Sequence, residues 1–154
     1  MGMKFLASFV LLSALSTGCG SGDGGSTPTS PSPAPSINVP FSATDLRVGT
    51  GTEATASRAV AVNYTGWTYS TTAADNKGTQ FDSSLNPGRS PLVLTPPWNV
   101  IQGFSMGIVG MRVGGVRRVV IPPNLAYGNN PPPNQTTIRP NETLLFEIEL
   151  LAVQ

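Results

Sequence analysis

The chain has no histidine, and its one cysteine, Cys19, lies close to the N-terminus. His-based acid–base catalysis, Ser-His-Asp and Cys-His nucleophile sites and most zinc sites are therefore excluded. The residue types left for chemistry are aromatic, phenolic and carboxylic, among them Tyr64, Phe81 with Asp82, Phe104, Tyr127 and Phe146. Tyr64 and Phe146 sit on alternating, strand-like patterns and Phe104 on a helical one, so each can also be plain core. Asp82 follows Phe81 at a strand end, where its carboxylate can cap the turn at Ser83-Ser84. Tyr127 lies in a loop between Pro123 and Pro131 and is the hardest of the set to explain as core. A ring-lined site without a base suits binding, or a reaction in which no proton leaves the substrate.

Elements able to position these residues follow from periodicity. Ile101, Phe104, Ile108 and Met111 put four apolar side chains on one helical face, which predicts a helix over Asn99–Met111 with Asn99 as its N-cap. Pro96 and Pro97 bar extension backwards. Gly103, Gly107 and Gly110 each cost about 1 kcal/mol against Ala, so packing must hold this helix together. Everything around it is β-like. Strands are expected at Asp45–Val48, at Ala59–Thr65 running on through Trp67 and Tyr69, and at Gln80–Ser83, Leu92–Leu94, Val116–Ile121 and Thr143–Val153. Residues 71–78 read as a loop or bulge, Asn86-Pro87-Gly88 as a turn, and 124–142 as a long loop stiffened by Pro131-Pro132-Pro133. One helix on about five antiparallel strands is an α+β domain.

Ahead of the domain, Lys4 precedes the apolar run Phe5–Leu15 and then small residues up to Cys19. This is the pattern of an export signal, and the run is too short to span a bilayer, which takes about 20 residues. Ser16-Thr17-Gly18-Cys19 resembles a bacterial lipobox, with Leu15 one place further from the cysteine than usual. Residues 1–18 are thus expected to be an export signal peptide, and 19–42 a lipidated Cys19 with a Gly/Ser/Pro tether. Such a tether lacks the apolar surface that would offset its ordering. Residues 43–154 are expected to form the folded domain. The implied location is the bacterial cell envelope, with Gly20 after Cys19 leaning toward the outer membrane. Net charge is +1 with 11% charged residues and no basic stripe, so a nucleic-acid partner is not expected.

Five strings in order resemble the FKBP-type peptidyl-prolyl isomerases over about Leu46–Val153: Val62–Gly66, Phe81–Ser84, Val100–Phe104, Ala126-Tyr127-Gly128 and Thr143–Leu151. The resemblance implies a half-wrapped antiparallel sheet with the helix across its concave face and a shallow apolar pocket between them. Tyr64, Phe81, Val100, Ile101, Tyr127, Ile138 and Phe146 would wall that pocket, with Phe104 as its floor. The implied catalytic residues are Asp82, which can accept a hydrogen bond from Tyr64, Tyr127 as donor to a substrate carbonyl, and Phe81. Neither cofactor nor metal is implied. Implied partners are proline-containing polypeptides and macrolide inhibitors, with the protein acting as a monomer held at a membrane by Cys19. The alternative is a chaperone or adaptor that grips proline segments with little turnover.

This sequence departs from the family pattern in three ways. Phe104 replaces the usual floor Trp. Leu92 stands where an aromatic is usual, with a stretch one residue shorter from there to Val100. The Thr68–Thr79 and Asn129–Pro140 loops are longer than in minimal members.

Overall fold

The computed structural model describes residues 39–154. The expected export signal, Cys19 and all of the tether up to residue 38 lie outside them. The chain enters with Phe41 packed against the core and forms β1 (Ser42–Arg47), β2 (Val60–Tyr69), β3 (Lys77–Ser83), β4 (Leu92–Leu94), α1 (Gln102–Ile108), β5 (Val116–Ile121) and β6 (Leu144–Val153). The six strands make one open antiparallel sheet in the order β1-β5-β6-β2-β3, with β4 also on β2.

Central β2 follows its alternation. Val60 and Val62 are buried and Tyr64 half-buried on the face that meets the helix, and Leu144, Phe146, Ile148 and Leu150 of β6 line the same side. Each fully buried side chain of this kind contributes about 1.5–3 kcal/mol. The outer edge of β2 is shared: β4 pairs with Val60–Val62, and β3 begins its pairing at Thr65. At the break between them Ser84 takes over. Its amide donates to the Tyr64 carbonyl (3.0 Å), and its hydroxyl accepts from the Tyr64 amide (2.9 Å). That repair of the ladder fixes Tyr64 at a gap in the sheet edge.

Three expectations are corrected. β1 spans Ser42–Arg47 rather than Asp45–Val48, because its register is set by β5, with Ser42 opposite Val120. Residues 71–78 are not all loop: β3 starts at Lys77, opposite Tyr69, after Asp75 and Asn76 reverse the chain in left-handed conformations. The helix is shorter than expected. It has seven residues and starts after Ile101, and no side chain caps it. Asn99 is therefore not its N-cap. At the far end Gly110, with φ of 80°, stops the winding.

The helical glycines explain where α1 sits. A methyl group at Gly103 would lie 2.3 Å from Cγ2 of Ile121, and one at Gly107 would lie 2.6 Å from Cγ2 of Val119. One glycine face therefore rests directly on β5. Arg117 secures the C-terminal end by donating to the carbonyls of Gly107 (3.0 Å) and Val109 (3.1 Å) while pairing with Asp45 of β1. Gly107→Ala should cost about 1–3 kcal/mol through overpacking despite its better helix propensity. Urea denaturation checks this: a variant as stable as the parent would mean that the helix does not lie this close.

Candidate active site

Between α1, the sheet and the two long connections is a cavity of about 440 Å³. β2 contributes Tyr64, β3 Phe81 and Asp82, β4 Leu92, and β6 Phe146. The extended stretch before α1 contributes Asn99, Val100 and Ile101, α1 itself Phe104, and the β5–β6 loop Tyr127 and Gln135.

Its floor is a cluster of four rings. Phe146 stands nearly perpendicular to Phe104 (centroids 5.2 Å apart) and to Phe81 (5.5 Å). Tyr64 meets Phe104 edge-on at 5.6 Å. Such pairs each add about 0.5–1.5 kcal/mol beyond their burial. Gly66, opposite Phe146 in the ladder, leaves room for them: a methyl group there would lie 2.7 Å from the Phe81 ring and 2.8 Å from that of Phe146. Phe104 is thus both core and floor, at 3% exposure.

One carboxylate serves this apolar site. Asp82 accepts from the Tyr64 hydroxyl at 2.5 Å, from the Ser83 amide at 2.9 Å and from the Arg89 guanidinium. Asp82 thus bonds both the turn, at Ser83, and the Tyr64 hydroxyl. Arg89 was not anticipated. Its partner is seven residues back, brought round by a turn in which Gly88 has φ of 79° and the Arg89 amide bonds the Asn86 carbonyl. The turn was readable, but the ion pair it makes was not.

The Tyr64 hydroxyl is occupied by Asp82, whereas the Tyr127 hydroxyl has no hydrogen-bond partner among the described residues. Tyr127 is held from below by its backbone. The Gly128 amide bonds the Pro123 carbonyl, the Asn130 amide bonds that of Tyr127, and the Asn141 amide bonds that of Gly128. Burial, reinforced by Asp82, pushes both phenols above their ordinary value of 10; for Tyr64 the hydrogen bond to Asp82 adds to the rise. Both are neutral donors at physiological pH.

Of the residues expected around the pocket, Tyr64, Phe81, Asp82, Val100, Ile101, Phe104, Tyr127 and Phe146 come together. Ile138 does not join them. It is 4% exposed and packed within the core cluster, and does not line the cavity. Asn99 and Gln135 line the cavity without having been picked out for it, since a lone amide side chain carries no recognisable pattern. Among the described residues no group of three or more His, Cys, Asp and Glu is placed to hold a metal ion.

Residues 51–151 match the family model described as FKBP-type peptidyl-prolyl cis-trans isomerase. The chain belongs to this family. An FK506-binding protein of Neisseria meningitidis serogroup B is 41% identical to the isomerase over 110 residues, covering 71% of this chain and 92% of the relative. An FK506-binding protein of Streptomyces anulatus is 38% identical over 109 residues, covering 71% and 82%. Among solved structures, the isomerase resembles FkpA from Escherichia coli, with a TM-score of 0.60 and 36% identity. That match covers 74% of this chain and 48% of FkpA, so the isomerase spans about half of FkpA's length. A peptidyl-prolyl cis-trans isomerase from Pseudomonas syringae pv. tomato matches with a TM-score of 0.60 and 33% identity, over 74% of this chain and 75% of that one.

Because both phenols of the site ionise above their ordinary value, any alkaline loss of kcat/KM from them should have its midpoint above pH 10. A pH–rate profile that falls earlier, and loses that limb in Tyr127→Phe, would contradict the raised value.

Proposed function

We propose that the isomerase seats the proline ring of an Xaa–Pro segment on Phe104 and Phe146, while the Tyr127 hydroxyl donates to a carbonyl of the substrate backbone. The observation that carries this reading is a cavity of rings in which Tyr64 and Asp82 satisfy each other and the Tyr127 hydroxyl is left available. Resonance gives the Xaa–Pro amide a rotation barrier of about 20 kcal/mol, and water raises it by hydrogen bonding to the planar, polar form. Seating the amide among rings removes that water, and a pocket that fits the twisted state better than either planar one lowers the barrier. No bond breaks and no proton leaves.

Asp82 acts through Tyr64. The short hydrogen bond fixes the phenol against Phe104, and the Arg89 guanidinium keeps a half-buried carboxylate from standing unpaired. The family's substrate class is peptides containing proline, and its members' FK506-binding names suggest macrolides as competitors for the same cavity.

Exchange rates measured on a blocked peptide with one Xaa–Pro bond test the roles. Tyr127→Phe and Asp82→Ala should each lower kcat/KM by about tenfold, the size of one lost hydrogen bond of about 1.4 kcal/mol. Unchanged rates in both would remove the polar half of this reading.

The clients we propose are exported polypeptides. Support comes from the sequence: the apolar run Phe5–Leu15, the lone Cys19 where a lipobox cysteine would stand, and the Gly/Ser/Pro stretch leading to the domain. In this reading residues 1–18 are removed, Cys19 carries the lipid, and the domain works as a monomer on a tether in the cell envelope. Cys19→Ser should move the protein from the membrane to the soluble fraction. Continued retention on membranes would contradict the anchor.

A further inference from the structure

Asn99 and Gln135 line the cavity without a place in the aromatic set. They come from different segments. Asn99 belongs to the extended stretch before α1, and Gln135 to the loop between β5 and β6. The position of Gln135 is built. Its amide N–H bonds the Pro132 carbonyl at 2.9 Å, and its own carbonyl accepts from the Ile138 amide at 3.3 Å. Ile138, buried in the core, pins the loop three residues away. Asn99 is exposed and Gln135 half-buried at the cavity, and among the described residues neither side-chain amide has a hydrogen-bond partner.

A carboxamide has two donors and an acceptor and no charge. The proline ring offers it nothing, since proline nitrogen carries no hydrogen. The matching groups are the N–H and C=O of the residues next to proline, which every polypeptide presents whatever its side chains. The one charged pair lining or touching the cavity, Asp82 with Arg89, is already closed on itself.

We propose that Asn99 and Gln135 hydrogen-bond the main chain of the residues flanking the proline. They make the isomerase select an extended polypeptide over an isolated Xaa–Pro unit. This inference rests on the proline-pocket reading above. Bonds to the flanks form with both isomers, so they add affinity rather than speed and read in KM more than in kcat.

The test compares N-acetylproline dimethylamide, which presents no flanking N–H, with a longer peptide carrying an Ala-Pro pair at its centre. Isomerisation is followed with the intact protein, Asn99→Ala, Gln135→Ala and the double variant. For the longer peptide each substitution should raise KM about three- to tenfold, the range for one hydrogen bond, with kcat nearly constant. The increase for the dimethylamide should be much smaller. Equal increases for both substrates, or none for the longer one, would overturn the proposal. Failure of the intact protein to accelerate either substrate would overturn the proline-pocket reading itself, so the two failures are distinguishable.

Discussion

At Gly103 and Gly107 the backbone of α1 lies against Ile121 and Val119 with no room for a methyl group on either residue. That contact sets the depth of the helix, and the depth sets the site. Phe104, one residue after Gly103, is driven into the rings of Tyr64 and Phe146. Val100 and Ile101, just ahead of the helix, are drawn across the cavity instead of winding into another turn. Glycine's poor helix propensity is the cost of the arrangement, offset by the burial of Phe104, Ile108 and Met111. The same sheet face that receives the helix carries β6, so one strand supplies both the core and the hub of the pocket.

The polar chemistry is confined to the rim. Among the described residues Asp82 is the only carboxylate lining the cavity, and three donors engage it, so its charge is met by Tyr64, Ser83 and Arg89. The ion pairs of Glu147 with Lys77 and Arg118 involve residues that alternate away from the pocket side of the sheet. Burial alone would raise the Glu147 carboxyl, but hydrogen bonds from Lys77 and Arg118 outweigh it and hold it below its ordinary value. Fixed charge is thus kept out of the ring cluster, where a reaction that gains from the loss of water needs an apolar wall.

Much of this was legible from residue patterns because the pocket is an extension of the core. The i, i+3, i+7, i+10 apolar face found the helix and strict alternation found β2 and β6, while the floor came from the family resemblance, since by pattern alone its aromatics read equally as core. What failed to show is long-range or local in a way that periodicity misses. The start of β1 depends on its register with β5, and the start of β3 on two left-handed residues before it. Asn99 has a capping residue's chemistry but sits three residues ahead of the first helical residue, Gln102. Arg89 meets Asp82 only because a turn closes. Ile138 was misplaced and Gln135 missed because which face of an irregular loop points inward has no period to betray it.

In the proposed mechanism a dry, shaped pocket and a fixed hydroxyl help the rotation, with no proton transferred. The most direct test is kcat/KM for one Xaa–Pro peptide measured in H₂O and in D₂O at matched acidity, well below the ionisation of either phenol. Equal rates are predicted, since the Tyr127 hydrogen stays on its oxygen throughout. A clearly slower rate in D₂O would mean that a proton moves in the rate-limiting step, and would contradict it.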